Sequence, residues 1–189
     1  MATGIRRWVS ELMIYDADDK LSADEAGTFL DSHKFGAWTV DAVGIRGVTE
    51  LSNALRGFVN IEQLSFCTHG FPGGVYFEGG NLTSLTLKSV AVPHNLFKGV
   101  GKLLFMGCET ARTKTGERFL IAAGKHFFSG KGGVVGGSTI YNDGWSFGTR
   151  LPLFGSSSGG LGVGTLVLFH LDTNGNVINN KKTVTPFNL

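Results

Sequence analysis

Short apolar segments alternate with amphipathic segments along most of the chain. Strand-like segments occur at residues 11–15, 37–43, 61–68, 102–106, 133–137 and 165–170. Apolar residues at every third or fourth position predict helices between them, at residues 22–33, 49–59 and 116–128. Ser22 is the predicted N-cap of the first helix, with Glu25 three residues later. This order predicts an α/β fold with a mostly parallel six-strand sheet that is covered on both faces.

Three segments depart from this alternation. In the middle of the chain, strand-like residues 75–77 and 82–87 flank the turn-forming residues 79–81, which predicts a hairpin. At the end, Asn174 and Gly175 predict a C-terminal β-hairpin whose returning strand begins near Val177. Residues 141–164 are rich in Gly and Ser and predict a long mobile loop, a kind of segment that is often functional. With no internal repeat and no clear boundary, residues 1–189 are predicted to form a single domain.

The composition agrees with a folded domain of ordinary size. Hydrophobic residues make up 42% of the 189, including 15 Phe, which is enough for a sizeable core and excludes a disordered chain. The net charge is +2 and no basic run exceeds two residues, which argues against a nucleic-acid-binding groove. No apolar stretch reaches the ~18 residues that a membrane span needs. We therefore expect no nucleic-acid and no membrane partner.

The N-terminus and the cysteines predict the compartment. Glu11 interrupts the first apolar run before it is long enough for a secretory signal. Cys67 and Cys108 are too few for a disulfide framework and favour a reducing compartment. These features predict a cytoplasmic protein, with delivery as a secreted effector left open.

Two of the predicted strands end in the same way, at a small residue beside a reactive one. Residues 64–70 read Leu-Ser-Phe-Cys-Thr-His-Gly, and residues 103–108 read Leu-Leu-Phe-Met-Gly-Cys. Because sites in open parallel sheets form beyond the carboxyl ends of the strands, His69 and Cys108 meet if these strands are neighbours. A thiolate is a strong nucleophile, and an imidazole beside it can take its proton. The backbone N–H groups of Gly70 and Cys108 are suited to an oxyanion, so together these residues form the parts of an acyl-transfer site.

One of these blocks is a set of apolar residues followed by His-Gly, and the other is a set of apolar residues followed by Gly-Cys. Together they resemble the motifs of the caspase-like cysteine peptidases, most closely those of the bacterial CHAT-type domains. The resemblance covers residues 12–139 in the order of elements. It implies a three-layer caspase-like fold and a cysteine endopeptidase that needs no metal or cofactor. It also implies that His69 is the general base and acid and Cys108 the nucleophile. A thioester would form on Cys108, and the N–H groups of Gly70 and Cys108 would form the oxyanion hole.

The resemblance also implies that Asp16, Ser138 and Thr139 line the pocket for the residue before the cleaved bond. An acid at position 16 would favour Arg or Lys there. Two features depart from the caspases themselves: their Gln-Ala-Cys-x-Gly signature is absent, and only 39 positions separate His69 from Cys108. Caspase-type activation and a preference for Asp are therefore not implied.

Several interpretations remain open at this point. Cys67 is either a core residue or a redox partner of Cys108, and Asp16 is either a pocket residue or an acid that caps a loop. The other histidines have no metal-ligand spacing, so no metal site is predicted. The chain as a whole is either a peptidase acting on a protein or peptide, with an activating partner possible, or a non-catalytic caspase-like scaffold or recognition module. The oligomeric state is open.

Overall fold

The structure is a computed structural model, which describes residues 6–34, 39–139 and 166–179, and the backbone of 182–184. Three helices and the seven strands of the main sheet form the framework of the described part of the chain. The helices are α1 (Lys20–Ser32), α2 (Val48–Arg56) and α3 (Thr113–Phe128). The strands of the main sheet are β1 (Glu11–Asp16), β2 (Val40–Ile45), β3 (Ile61–Cys67), β4 (Phe97–Phe105), β5 (Gly133–Ser138), β6 (Leu166–Leu171) and β7 (Lys182–Val184).

These seven strands form one sheet in the order β7-β6-β5-β4-β3-β1-β2. Strands β1 to β5 are parallel, β6 runs antiparallel to β5, and β7 returns antiparallel to β6. The mostly parallel six-strand sheet and the C-terminal hairpin predicted from the sequence are therefore confirmed, and the returning strand of the hairpin is the seventh strand. Gly175, with φ of 77°, occupies the predicted turn of this hairpin.

Helices cover both faces of the sheet, which gives three layers. On one face, α2 and α3 enclose an apolar core rich in phenylalanine, where Phe66 of β3 stacks on Phe105 of β4 at 5.0 Å between ring centroids. Phe127 of α3 meets the edge of Phe66 at 5.8 Å. On the other face, α1 packs Ala26 and Phe29 into a second apolar cluster. Burial on both faces explains why apolar residues fill most of β1 and the last three positions of β4.

The start of α1 differs from the sequence prediction. The N-cap is Asp19 and not Ser22, because the Asp19 carboxylate accepts the backbone N–H groups of Leu21 and Ser22. Helix α1 therefore begins two residues earlier than predicted. Glu25, the predicted partner of Ser22 in a capping box, contacts Cys67 of the sheet through its carboxylate.

The segment between β3 and β4 also differs from its prediction. The predicted hairpin is present with shorter strands, since Gly74–Val75 pairs antiparallel with Leu82–Thr83. A third strand, Gly70–Phe71, extends this hairpin into a small antiparallel sheet, and a 3-10 helix, Thr86–Ser89, takes the place of the end of the second predicted strand. A separate parallel pair joins Arg7–Trp8 to Phe58–Val59.

Two further predictions concern loops and membranes. The Gly/Ser-rich loop predicted at residues 141–164 lies outside the described residues. Within the part of the chain that is described, no helix combines the length and the apolar character needed to cross a membrane.

Candidate active site

The strands that precede His69 and Cys108 are neighbours in the sheet. Phe66 of β3 lies opposite Phe105 of β4, and the backbone N–H of Met106 donates to the carbonyl of Phe66 at 2.9 Å. His69 and Cys108 each follow this pair by three residues. The parallel register therefore brings both residues to the same carboxyl edge of the sheet.

The backbones that carry the two residues touch each other. A Cβ built on Gly70 would lie 2.6 Å from the carbonyl carbon of Gly107, with the carbonyl oxygen of Cys108 nearer still. A Cβ built on Gly107 would lie 2.8 Å from the N and Cα atoms of Gly70. Side chains at either position would push the strand ends apart, so the glycines of both motifs allow His69 and Cys108 to approach.

The amide N–H of Gly70 takes no part in the ladder of the small sheet. In the small sheet Gly70 lies opposite Val75, and the backbone N–H of Tyr76 donates to the carbonyl of His69 at 2.8 Å. This pattern makes Gly70 and Val75 a non-hydrogen-bonded pair, so the N–H of Gly70 points away from the partner strand. The donor is left outside the ladder, beside the backbone of Gly107 and Cys108.

The chain turns sharply directly after Cys108, which is partly buried. Glu109 has a φ of 54°, a left-handed conformation that costs a non-glycine residue roughly 1–2 kcal/mol. The turn is held by a hydrogen bond from the Arg112 N–H to the Glu109 carbonyl at 2.8 Å and by an ion pair between their side chains. The buried Thr110 hydroxyl donates to the Gly107 carbonyl at 3.0 Å. Strained backbone of this kind clusters at functional sites, and here it fixes Cys108 at the rim of the sheet.

A carboxylate that the sequence analysis missed lies beside His69. The Nε2 atom of His69, whose side chain is 58% exposed, is 3.7 Å from Oδ2 of Asp19, an ion-pair distance longer than a hydrogen bond. Burial of Asp19 opposes its ionisation, but hydrogen bonds from Ser22 and the charge of His69 outweigh burial and lower its pKa. Asp19 is therefore an anion at neutral pH, and its carboxylate faces the His69 ring.

A signal for Asp19 was present in the sequence. Three acids, Asp16, Asp18 and Asp19, follow the first predicted strand. Because β1 lies directly beside β3, the loop after β1 meets the residues after β3 at the sheet edge. The adjacency of these two strands was the missing information, since β2 comes between them along the chain.

Asp16, the first of the predicted pocket residues, is buried at the end of β1. Its Oδ1 atom accepts the N–H of Asp18 at 3.1 Å, and its Oδ2 atom accepts the N–H of Glu78 at 3.0 Å. Both oxygens are thus used by the backbone. This geometry favours the interpretation of Asp16 as an acid that caps a loop, and its effect on substrate preference stays a prediction.

Ser138 and Thr139 lie at the end of β5, next to the segment that follows Cys108. Ser138 is buried, and its carbonyl accepts the N–H of Ala111 at 2.7 Å. Thr139 is partly buried. The structure therefore brings the end of β5 to the same edge as Cys108, and the contribution of both residues to a substrate pocket stays a prediction.

Cys67 is a buried residue on the α1 face of the sheet, where it packs in the cluster that contains Met13 and Ala26. Its thiol lies 3.0 Å from Oε2 of Glu25. Burial, followed by the charge of Glu25, raises the pKa of Cys67 well above its usual range. A thiol that resists ionisation is a poor nucleophile, which favours the core interpretation over the redox one.

Other histidines make contacts away from this edge. The Nε2 atom of His126 lies 2.8 Å from the carbonyl oxygen of Val90, and the Nδ1 atom of His33 lies 2.8 Å from that of Phe29. Over the described ranges, no three His, Cys, Asp or Glu side chains are grouped so that they could hold a metal ion.

Fold and site together define a three-layer α/β domain with a histidine and a cysteine at adjacent strand ends. Residues 37–125 match the family described as a domain of unknown function, DUF4347. The matched segment runs from β2 through most of α3 and contains both His69 and Cys108. No curated protein and no solved structure matches the chain.

Proposed function

We propose that this domain is a cysteine endopeptidase with His69 and Cys108 as its catalytic dyad. The observation that carries the proposal is the contact between the two strand ends. Gly70 and Gly107 meet backbone to backbone, directly beside the histidine and the cysteine. A nucleophile and its base must lie within reach of one another, and neighbouring strands in this register supply that proximity.

The proposed reaction has two halves. His69 takes the proton from the Cys108 thiol, and the thiolate attacks the carbonyl carbon of the scissile peptide bond. The N–H groups of Gly70 and Cys108 stabilise the oxyanion. When the C–N bond breaks, His69 gives its proton to the departing amine, and the acyl group remains on Cys108 as a thioester. A water molecule, deprotonated by His69, then attacks the thioester, and the C–S bond breaks as the thiol recovers its proton.

Asp19 has a supporting part in this proposal. During acylation His69 becomes an imidazolium, and the Asp19 carboxylate stabilises that charge from 3.7 Å. Because the same carboxylate caps α1, its position is fixed by the helix and does not depend on the substrate. Asp19 is thus a positioning residue, which acts on the substrate only through His69.

We further propose that the domain is related to the caspase-like peptidases, closest to the CHAT type. The support is the order of elements through residues 12–139 and the two motif blocks at the sheet edge. Preference for Arg or Lys before the cleaved bond belongs to the same proposal. Its support is the position of Asp19, whose carboxylate lies 3.7 Å from His69 and could attract a basic substrate residue to this edge.

A non-catalytic recognition module is the second candidate, and the exposure of His69 favours it. More than half of this imidazole faces water, whereas acyl-transfer sites work best when water is excluded. A module of this kind would keep the fold and the strand contact but use the edge for binding alone.

Covalent labelling separates the two candidates. The full chain would be treated with a peptidyl acyloxymethyl ketone carrying Arg or Lys, and the adduct located by intact mass and site mapping. A peptidase gives a single adduct on Cys108 that disappears in Cys108→Ala and forms much more slowly in His69→Ala. The matched control is Cys67→Ala, which removes the buried thiol and should label normally.

Each other outcome removes part of the proposal. A folded wild-type protein that forms no adduct with any peptide series would overturn the peptidase and favour the recognition module. An adduct that forms only with a neutral or acidic peptide would keep the enzyme and remove the preference for basic residues. Equal labelling rates for wild type and His69→Ala would remove His69 from the dyad.

A further inference from the structure

A polar cavity lies at the opposite edge of the sheet from His69 and Cys108, at the amino ends of β1, β3 and β4. Its volume is about 520 Å³, and its titratable and amide groups are Glu11, His33, Glu62, Gln63, Lys98 and Lys102. An irregularity in the sheet creates the space. Ile61 pairs with Phe97 but Gln63 pairs with Lys102, so the start of β4 bulges away from β3.

The inner wall of this cavity has two acceptors that no described residue satisfies. Glu11 is mostly shielded from solvent, and both of its hydrogen bonds, from the Gln63 amide and the Ser65 hydroxyl, fall on Oε1. Its Oε2 atom receives no donor from the described residues. Because Gln63 must present its NH2 group to this carboxylate, its own Oε1 atom is also left without a described donor.

An anion with an open acceptor in this position is costly without a cation. Burial raises the pKa of Glu11 in spite of the nearby charges of His33 and Lys102 and its own hydrogen bonds. A charge-assisted donor entering the cavity would remove that cost, and an ammonium group supplies three such donors.

The outer wall carries the opposite charge. Lys98 and Lys102 are exposed, and neither forms an ion pair with any residue that the structure describes. Lys102 and Glu11 both pair with Gln63, on opposite sides of β3, which puts their strands about 9–10 Å apart. The Lys102 ammonium and the Glu11 carboxylate form no ion pair with each other. The cavity therefore has a negative wall and a positive wall with a gap between them.

We propose that this cavity binds a free α-amino acid with an apolar side chain. The ammonium group of the ligand donates to Glu11 and Gln63, and its carboxylate lies between Lys98 and Lys102. The apolar side chain packs on Val100, an exposed apolar residue that also lines the cavity. A ligand with only one of the two charges would leave one wall unmatched, so the site selects the zwitterion.

The test measures binding of L-leucine to the full chain carrying Cys108→Ala, so that the result does not depend on any peptidase activity. Saturation-transfer NMR titrations would compare L-leucine with N-acetyl-L-leucine, which lacks the ammonium group, and with L-leucinamide, which lacks the carboxylate. Each analogue should bind at least about tenfold more weakly than L-leucine. Glu11→Gln and Lys102→Met should each weaken L-leucine binding by a similar factor. Lys88→Met, at an exposed lysine away from the cavity, is the matched control and should leave binding unchanged.

Three results would overturn the proposal. The first is the absence of saturable L-leucine binding at millimolar concentrations to a protein whose circular dichroism shows it folded. The second is equal binding of L-leucine and either analogue, which would show a simple anion or cation site. The third is unchanged binding in both Glu11→Gln and Lys102→Met, which would place the ligand elsewhere. Because the titration uses a chain without Cys108, failure here leaves the peptidase proposal untouched.

Discussion

The contact between the two strand ends can be tested by adding one methyl group. In Gly70→Ala the new Cβ would lie 2.6 Å from the Gly107 carbonyl carbon, whereas an ordinary contact needs at least 3.4 Å. The neighbours include backbone atoms that cannot rotate away, and the Cys108 carbonyl oxygen is nearer still, so the two strand ends must separate by about 1 Å. A misplacement of about 1 Å between reacting groups costs up to about 100-fold in rate. We expect labelling of Cys108 to slow by roughly 10- to 100-fold.

The same substitution should lower stability, because overpacking a close contact costs about 1–3 kcal/mol. For a domain of this size each kcal/mol lowers Tm by about 2–4 °C. Second-order labelling rates and thermal unfolding would be measured side by side. The control is Gly27→Ala on the exposed face of α1, where a Cβ would meet nothing within 4 Å. That variant should label normally and gain up to about 1 kcal/mol from improved helix propensity.

One result would refute this reasoning. If Gly70→Ala unfolds at the wild-type temperature and labels at the wild-type rate, the strand ends are not in the close contact described. A loss of stability without any loss of rate would keep the contact but show that it does not position the dyad.

Three further predictions concern residues around the dyad. Asp19→Asn keeps a good N-cap but removes the anion, so labelling should slow several-fold and the free energy of unfolding should fall by about 0.3–1 kcal/mol at pH 7. The pKa of Asp19 in the folded protein lies below its usual value near 3.8. The stability difference between wild type and Asp19→Asn should therefore vanish as the pH falls below about 4. A stability difference that persists at pH 2 would contradict a stabilising role for the Asp19 anion. Iodoacetamide at neutral pH should alkylate Cys108 in the native protein and spare Cys67, because Cys67 is buried. Peptide mapping that finds both cysteines modified at similar rates would contradict this prediction. Glu109→Val should lower the free energy of unfolding by about 1–2 kcal/mol in denaturant titrations, because a β-branched residue tolerates positive φ poorly. Glu109→Gly should cause no such loss of stability. An equal loss of stability in both variants would show that backbone strain is not the cause.

The sheet was predictable from the sequence because its strands are buried on both faces. Residues 12–15 and 103–106 are uninterrupted apolar runs, and amphipathic segments separate the strands along the chain. The boundaries were less accurate where polar residues belong to a strand. Strand β4 begins at Phe97, five residues before the predicted start, because Lys98, Gly99 and Val100 bulge outward and break the apolar pattern.

The adjacency of the two motif segments was also predictable, but their surroundings were not. His69 and Cys108 could be proposed from two short blocks, since strands that end alike and are neighbours share one edge. Asp19 could not, because its place beside His69 depends on the order of strands in space, with β1 between β2 and β3. The predicted N-cap of α1 was also wrong, because Ser22 and Glu25 match the sequence pattern of a capping box that the folded chain does not form.

The strands that carry the dyad both lie inside the sheet, and each has a parallel neighbour on either side. In native proteins the edges of a sheet and the chain ends fray at little cost, while interior strands exchange their amide hydrogens only when the whole domain opens. Fluctuations at β2 or at the C-terminal hairpin therefore leave β3 and β4 paired. His69 and Cys108 are held by the part of the fold that is the last to come apart.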